Sequence, residues 1–408
     1  MRPAMIGRVA AKEILSTLRD QRAILSNLLI PLLVLPVVML GLPLLLGGLF
    51  QHEQATVTAV GVQGQANLPP ELASLLKAQN VGLQPVADPE AAVRDGTVSV
   101  AIRVPAGFAA AVASGSGADL TVYSKPGNMK SELNANKVRQ AVQDYTGKLV
   151  GARLRAAGLD PAILQPVHVQ TVNASSPAEK SSGQLSWLIP FFIAIWTLTG
   201  GQMTAIDATA GEKERGTLEA LLVTPVRRTE VVIGKFLATA TFGLSAAAMA
   251  IVGYVVGGAI VRAALHAQIA GQASGIVQAM GGSLDISPAS VLLLLVSAVL
   301  LAGTIAALLL GITMFARSFK EAQSYVAPLS ILLILPAVGL QFKDLLGFGK
   351  GVYMVPVFNA LVLMDDIVKG TANAGAVLTT WLTLLVVIAL LLRFAYRNFQ
   401  REAVIFRA

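Results

Sequence analysis

Cysteine is absent from the 408 residues, which excludes disulfides, Fe–S clusters and thiol catalysis. Histidine is almost absent: His52, His168 and His266 stand far apart and fit no zinc spacing. Charge is scarce, at 13% of residues against about 25% in a soluble globular chain. There is no G-x-x-x-x-G-K-[ST] phosphate loop, because Gly349-Lys350 is followed by Gly351 and lacks the earlier glycine. ATP and magnesium are therefore expected to have no site on this chain. The apolar runs hold no paired acids, no zinc motif and no Ser/His pair, so neither a catalytic residue nor a metal site is expected.

Apolar residues make up 54% of the chain, and the mean hydropathy is +0.67. They gather in blocks of about 20 or more, the length of a bilayer-crossing helix. The pattern predicts a polytopic α-helical membrane protein with six spans: Ala23–Phe50, Leu185–Ile206, Val231–Val261, Pro288–Ala316, Ala322–Leu340 and Ala374–Phe394. Pro31, Pro36 and Pro43 are expected to kink or break the first. Residues 1–22 carry Ile6, Val9, Ala10, Ile14 and Leu18 at helical spacing among basic residues, which predicts an amphipathic helix in the membrane interface.

Residues 51–184 are different material. Charges return, Thr56–Val62, Val98–Val104 and Leu120–Tyr123 read as strands, and Glu71–Gln79, Gly107–Ala113 and Ser131–Ala157 read as helices. This predicts a small α/β domain inserted between the first two spans, with Ser175–Gly183 as its exit linker. Residues 341–372 are semi-polar, with an apolar piece too short to cross. They predict a re-entrant or interfacial hairpin before the sixth span, and 395–408 forms a tail.

The net charge of +8 and pI of about 9.8 would suggest nucleic acid in a soluble protein. Here the excess is a topology signal. The termini, the loops 207–230 and 314–322 and the adjoining span ends at Lys235 and Arg393 hold sixteen lysines and arginines against nine acids, whereas residues 51–184 are nearly balanced. The positive-inside rule puts both termini in the cytoplasm and the inserted domain outside. No nucleic-acid partner is expected.

The spans show few ionisable groups, with Asp207 and Lys235 at span ends. A carrier driven by protons or sodium usually holds an acid at mid-membrane. Thr197, Thr199, Gln202, Thr304, Ser324, Tyr325 and Thr383 are expected to bond from helix to helix, and Gly253–Gly257, a GxxxG, to be a packing face. In the loop 207–230 a charged stem is followed, from Gly216, by Leu218, Leu221 and Leu222 on one side of a short helix that Pro225 stops. Such a helix suits docking into a groove of a soluble partner. Asn359, Asp365 and Asp366 lie in the hairpin. Two adjacent carboxylates repel and gain from a cation between them, so they are candidates for an acidic outer gate, or else are solvated acids at a helix end.

EKERGTLEALLVTPVRRTEVVIGK, from Glu212 to Lys235, resembles the cytoplasmic signature of ABC-2-type exporter permeases. So do the opening Lys12-Glu13…Arg19-Asp20-Gln-Arg22 before a proline-rich span, Val104-Pro105-Ala-Gly107-Phe108, and Val355-Pro356-Val-Phe-Asn359. Within that superfamily the opening and the large domain after the first span look most like sodium-extrusion (Nat-type) permeases. The resemblance implies a type V exporter fold in the cell membrane. In it two permease copies, expected as a homodimer among membrane lipid, each bind a separate ABC ATPase subunit that holds ATP and Mg. It further implies that Glu212–Thr224 is the coupling helix, with Glu212, Glu214, Arg215, Gly216, Thr217, Leu218, Glu219, Leu221, Leu222, Thr224 and Pro225 as the ATPase-coupling set. Met5–Leu18 would be the elbow helix, with Lys12, Glu13, Arg19, Asp20 and Arg22 at its end. The cargo would be sodium or another cation, or else a drug or lipid. A membrane-anchored sensor or scaffold with an outer binding domain is the reading from a different class.

Overall fold

The computed structural model describes residues 2–164, 179, 186–218, 224–266, 286–347 and 349–400. The linker expected at Ser175–Gly183, apart from Glu179, lies outside the described residues, as do Glu219, Leu221 and Leu222 and the last eight residues of the tail. The chain forms two compact units. One comprises Met1–Leu45 and Ala174–Ala408, the other Leu46–Asn173.

The larger unit is helical. Helix α1 spans Pro3–Leu18. A helical turn at Gln21–Ile24 and a π-turn at Leu25–Leu29 lead into α2, Ile30–Ala55. Of the kinks or breaks expected at the prolines, none interrupts α2 at Pro36 or Pro43, and at Pro31 the irregularity is the π-turn just before it. A proline ring crowds the carbonyl four residues earlier, here that of Asn27, and the extra residue of a π-turn at that point relieves the crowding.

Among the described residues, five helices are long and apolar enough to cross a membrane: Leu188–Glu214, Arg228–Ala263, Pro288–Thr313, Phe319–Phe342 and Ala374–Phe399. The first is α7, Leu188–Ile206, prolonged by a π-turn at Asp207–Gly211 and a last turn at Glu212–Glu214. The others contain α8 (Arg228–His266), α9 (Pro288–Thr313), α10 (Phe319–Gly339) and α12 (Ala374–Phe399). Gly253 and Gly257 of α8 meet α2. A Cβ on Gly253 would stand 2.5 Å from the Leu32 carbonyl oxygen, and one on Gly257 3.1 Å from Pro36 Cα.

Five of the span hydroxyls expected to bond from helix to helix bond within their own helix instead. Thr197, Thr199, Thr304 and Thr383 donate to the carbonyl four residues back in their own helix, as does Ser324. A hydroxyl close to its own backbone takes that local acceptor at little entropic cost. Trp381 Nε1, by contrast, reaches Ser297 Oγ on another helix at 3.1 Å.

Between α10 and α12, helical turns at Lys343–Leu346 and Lys350–Met354 precede α11, Phe358–Lys369. Every residue from Asn359 to Val368 is buried, and α11 packs on α7, α9, α10 and α12.

The smaller unit holds a four-stranded sheet: β1 (Thr58–Gln63), β2 (Val81–Pro85), β3 (Val100–Arg103) and β4 (Thr121–Ser124), in the order β2-β1-β3-β4. β1 is parallel to β2 and β3, and β4 is antiparallel to β3. Its helices are α3 (Pro70–Ala78), α4 (Pro89–Arg94), α5 (Phe108–Ser114) and α6 (Met129–Ala156). Alternation along β3 sorts the core: Val100 and Ile102 pack with Leu72, Leu76 and Val138 on one side, and Ala101 packs with Val93 of α4 on the other. β2 and α4 escaped the sequence reading. VGLQP has Gly82 and Pro85 in place of an alternating run, and α4 is under two turns long. Its Asp88–Pro89 start, with Asp88 Oδ1 accepting from Glu90 and Ala91 N–H, was the available signal.

Candidate functional site

The helix that leaves the membrane as α7 does not end at Ile206. The π-turn carries it to Glu214 and rolls the Glu212 side chain inward, so that only 2% of that residue is exposed. Lys235, the second turn of α8, is 1% exposed. Its ammonium donates to Glu212 Oε2 at 2.5 Å, to Glu13 Oε1 at 2.9 Å and to the Ala208 carbonyl at 2.5 Å. Lys12 joins from the rim, bonded to Glu212 and, at 3.2 Å, to Glu13. Two lysines and two glutamates thus form a charge-balanced cluster. Burying even one of these ions alone would be prohibitive, so each depends on the others. Burial pulls the Lys12 ammonium down, but its hydrogen bond to Glu212 and the charges of Glu13 and Glu212 outweigh that and hold it above the usual lysine value.

Helix α1 is seated by shape as well as charge. Val9, Ala10 and Glu13 are its buried residues, one stripe of the helix. Val9 lies over Gly234, where a Cβ would come within 2.6 Å of the Val9 side chain. The start of α1 is tied to the start of α8: Arg2 pairs with Glu230 at 3.0 Å and donates to the Pro225 carbonyl at 2.5 Å. The Glu230 hydrogen bond raises the Arg2 guanidinium further.

The next two residues clip the turn between α9 and α10. Lys213 donates to the carbonyls of Met314 and, at 3.4 Å, Ala316, at the end of α9. Glu214 accepts from Phe319 N at 2.7 Å, at the start of α10. A cation at a helix C-terminus and an anion at an N-terminus both complement the helix dipole. Arg215 turns back to Asp207 at 2.9 Å, and that bond raises its guanidinium. Gly216, at φ +68°, then reverses the chain.

Some sequence expectations change here. Leu218, expected with Leu221 and Leu222 on one side of a short docking helix, is 3% exposed and packs with Val231, Val232, Met314, Ala395 and Phe399. The left-handed Gly216 sends the chain back onto the bundle, so the leucine finds apolar partners in its own chain. Glu212 faces α1 and α8 for the reason given above. Neither side chain lies on the surface. Glu219, Leu221 and Leu222 lie outside the described residues. Thr217 Oγ1 donates to the Glu212 carbonyl, and the Thr224 carbonyl accepts from Val226. Arg19 and Asp20 form the turn after α1, and Arg22 lies in the helical turn that follows.

The sequence pointed to Lys12, Glu13 and Glu212 separately and placed Lys235 at a span end. Their convergence was hidden because contacts 23 and 222 residues apart leave no local signal.

Asn359, Asp365 and Asp366 are neither solvated nor empty-handed. Asp365 is 0% and Asp366 4% exposed. Lys343 pairs with Asp366 and sits 3.5 Å from Asp365, and Lys369 pairs with Asp365 at 2.8 Å. Tyr353 OH donates to Asp366 at 2.6 Å; burial, together with Asp366, raises the Tyr353 phenol well above its usual value. The place the sequence left for a cation is filled by two ammonium groups. Asn359 Nδ2 donates to the Tyr353 carbonyl, which fixes the start of α11.

Comparison with known proteins places this geometry. The family model described as ABC-2 family transporter protein matches residues 27–397. The ABC transporter permease protein NatB of Bacillus subtilis (strain 168) is 30% identical over 401 residues, covering 98% of each chain. No solved structure matches the chain.

Proposed function

We propose, from the premise that the chain belongs to the ABC-2 transporter family, that it is the permease subunit of an ATP-driven exporter powered by a separate ATPase subunit. That it is a multi-pass membrane protein and an ABC transporter permease follows from the family and from the long apolar helices. Permeases of this family are generally non-catalytic, with ATP hydrolysis in a partner. In our reading two copies pair in the cell membrane, both termini face the cytoplasm, and the unit Leu46–Asn173 faces outward. The charge asymmetry between the segments supports that orientation.

The observation that carries the proposal is the buried Glu13–Lys235–Glu212–Lys12 cluster. It fastens the stem of the loop to α1 and α8, while Lys213 and Glu214 fasten the same stem to α9 and α10. A push on the loop from an ATPase below is thereby delivered to four helices at once. The permease residues transmit force and do no covalent chemistry. Buried, directional ion pairs suit this task because they have few alternative arrangements of similar energy. The Nat-type resemblance supports sodium or another cation as cargo.

The test is co-purification with the ATPase and reconstitution in vesicles. Cargo-stimulated ATP hydrolysis is then measured across a panel of ions, drugs and lipids. Glu13→Gln with Glu212→Gln is expected to leave basal hydrolysis and abolish its stimulation. Full stimulation in that variant would refute transmission through the cluster.

A further inference from the structure

The unit Leu46–Asn173 contains a cavity of about 530 Å³ beneath the leading ends of β1 and β3, within the size range of small-molecule sites. Its lining includes His52, Lys125 and Lys130, with the hydroxyls of Thr97, Ser99 and Ser131, and it includes no aspartate or glutamate. In a unit whose acids and bases nearly balance, this hollow is lined by two lysines and no acid.

The wall behind it is polar and built. Lys137, 8% exposed, donates to Thr58 Oγ1 at 3.1 Å and to the Thr56 carbonyl at 3.3 Å. Thr58 Oγ1 donates to Asn134 Oδ1 at 2.9 Å, and Asn134 Nδ2 donates to Ser99 Oγ at 3.1 Å. Ser131 Oγ donates to the Ser99 carbonyl at 2.7 Å and accepts from Lys125 N at 2.8 Å. Thr58, Ser131 and Asn134 are all buried. Such a network replaces apolar packing that would serve the core at least as well. What it adds is a rigid polar wall that fixes Ser99 and Ser131 in place.

We infer that this cavity binds an oxyanion, a phosphate or phosphate-bearing head group. The ammonium groups of Lys130 and of Lys125, which also donates to the Arg94 carbonyl at 2.7 Å, and the hydroxyls of Thr97 and Ser99 would donate to its oxygens. Charge-assisted hydrogen bonds to an oxyanion are the strong ones, and the lack of any lining carboxylate leaves nothing to repel it. The inference is independent of the exporter reading, because it concerns binding to this unit and not transport.

The experiment uses the full-length chain in phosphatidylcholine nanodiscs. Inorganic phosphate and glycerol 3-phosphate are titrated by calorimetry, and the titration is repeated in discs containing phosphatidylglycerol. Binding is expected to weaken about tenfold in K125Q/K130Q. It should weaken similarly in Thr97→Asp, which replaces one hydroxyl donor with a carboxylate at the wall. Lys148→Gln, on the exposed side of α6, should bind like the parent. Soluble phosphates binding equally in both kinds of disc identifies a free ligand. Soluble-phosphate binding that is lost in phosphatidylglycerol discs identifies a lipid head group competing for the same site. No response of the parent to any of these probes at about 10 mM, or parent-like binding in both K125Q/K130Q and Thr97→Asp, would overturn the proposal.

Discussion

Lys235 and Asp365 illustrate how burial changes what a single charge does. Lys235→Met would leave Glu13 and Glu212 facing each other inside the protein with only Lys12, itself half exposed, between them. Breaking a buried ion pair from one side costs about 3–5 kcal/mol, whereas replacing all partners together is often neutral. Lys235→Met is therefore expected to lower the thermal unfolding temperature of the purified protein markedly. The triple change Glu13→Gln, Glu212→Gln, Lys235→Met should recover most of that loss. A triple variant less stable than the single one would show that the cluster is not the closed unit described above. For Asp365 the numbers separate two views of the residue. A solvated carboxylate changes stability by about ±0.5 kcal/mol on removal. Asp365, fully buried between two lysines that are themselves about a fifth exposed, should cost about 2 kcal/mol as Asp365→Asn. Urea or thermal unfolding in detergent reads the difference.

The stretch from α7 to α8 behaves as a single mechanical element, and its parts respond differently to substitution. Gly216 sits at φ +68° with open space around a would-be Cβ, so Gly216→Ala meets only backbone strain, about 1 kcal/mol. Leu218 lies inside the cluster of Val231, Val232, Met314 and Phe399. Leu218→Asp puts an unpaired charge there and should cost about 4 kcal/mol or more. Both substitutions are expected to weaken capture of the ATPase subunit in a pull-down. Only Leu218→Asp should also lower the unfolding temperature substantially. Parent-like stability in Leu218→Asp would mean that the leucine is free to face a partner after all. The amphipathic spacing of this segment was legible in the sequence. Its direction was not, because one left-handed glycine decides which way the leucine points.

Over the whole molecule, the orientation in the membrane rests on charge, and the absence of cysteine makes it directly measurable. Single cysteines at Gly117, in the smaller unit, and at Arg228, at the start of α8, are expected to react oppositely with a membrane-impermeant maleimide. Gly117→Cys should label in intact cells and Arg228→Cys only after the membrane is opened. The reverse pattern would invert the topology and with it the place of the ATPase. The smaller unit has its own two-sided sheet and its own core, which is what an independently folding domain requires.

Composition and run length alone determined that this is a helical membrane protein, since some twenty consecutive apolar residues have few other uses. Short-range patterns also located three of the four strands and the long helices, because alternation and the 3.6-residue period are local properties. The family was legible in contiguous motifs such as Glu212–Lys235. The tertiary structure alone decided that Lys235 is buried between two glutamates from distant segments, and that Lys343 and Lys369 neutralise Asp365 and Asp366. It also decided that α7 continues through a π-turn. Each of these depends on which charge lies opposite which across a packed interface, and ion pairing at a distance in sequence leaves no periodicity to read.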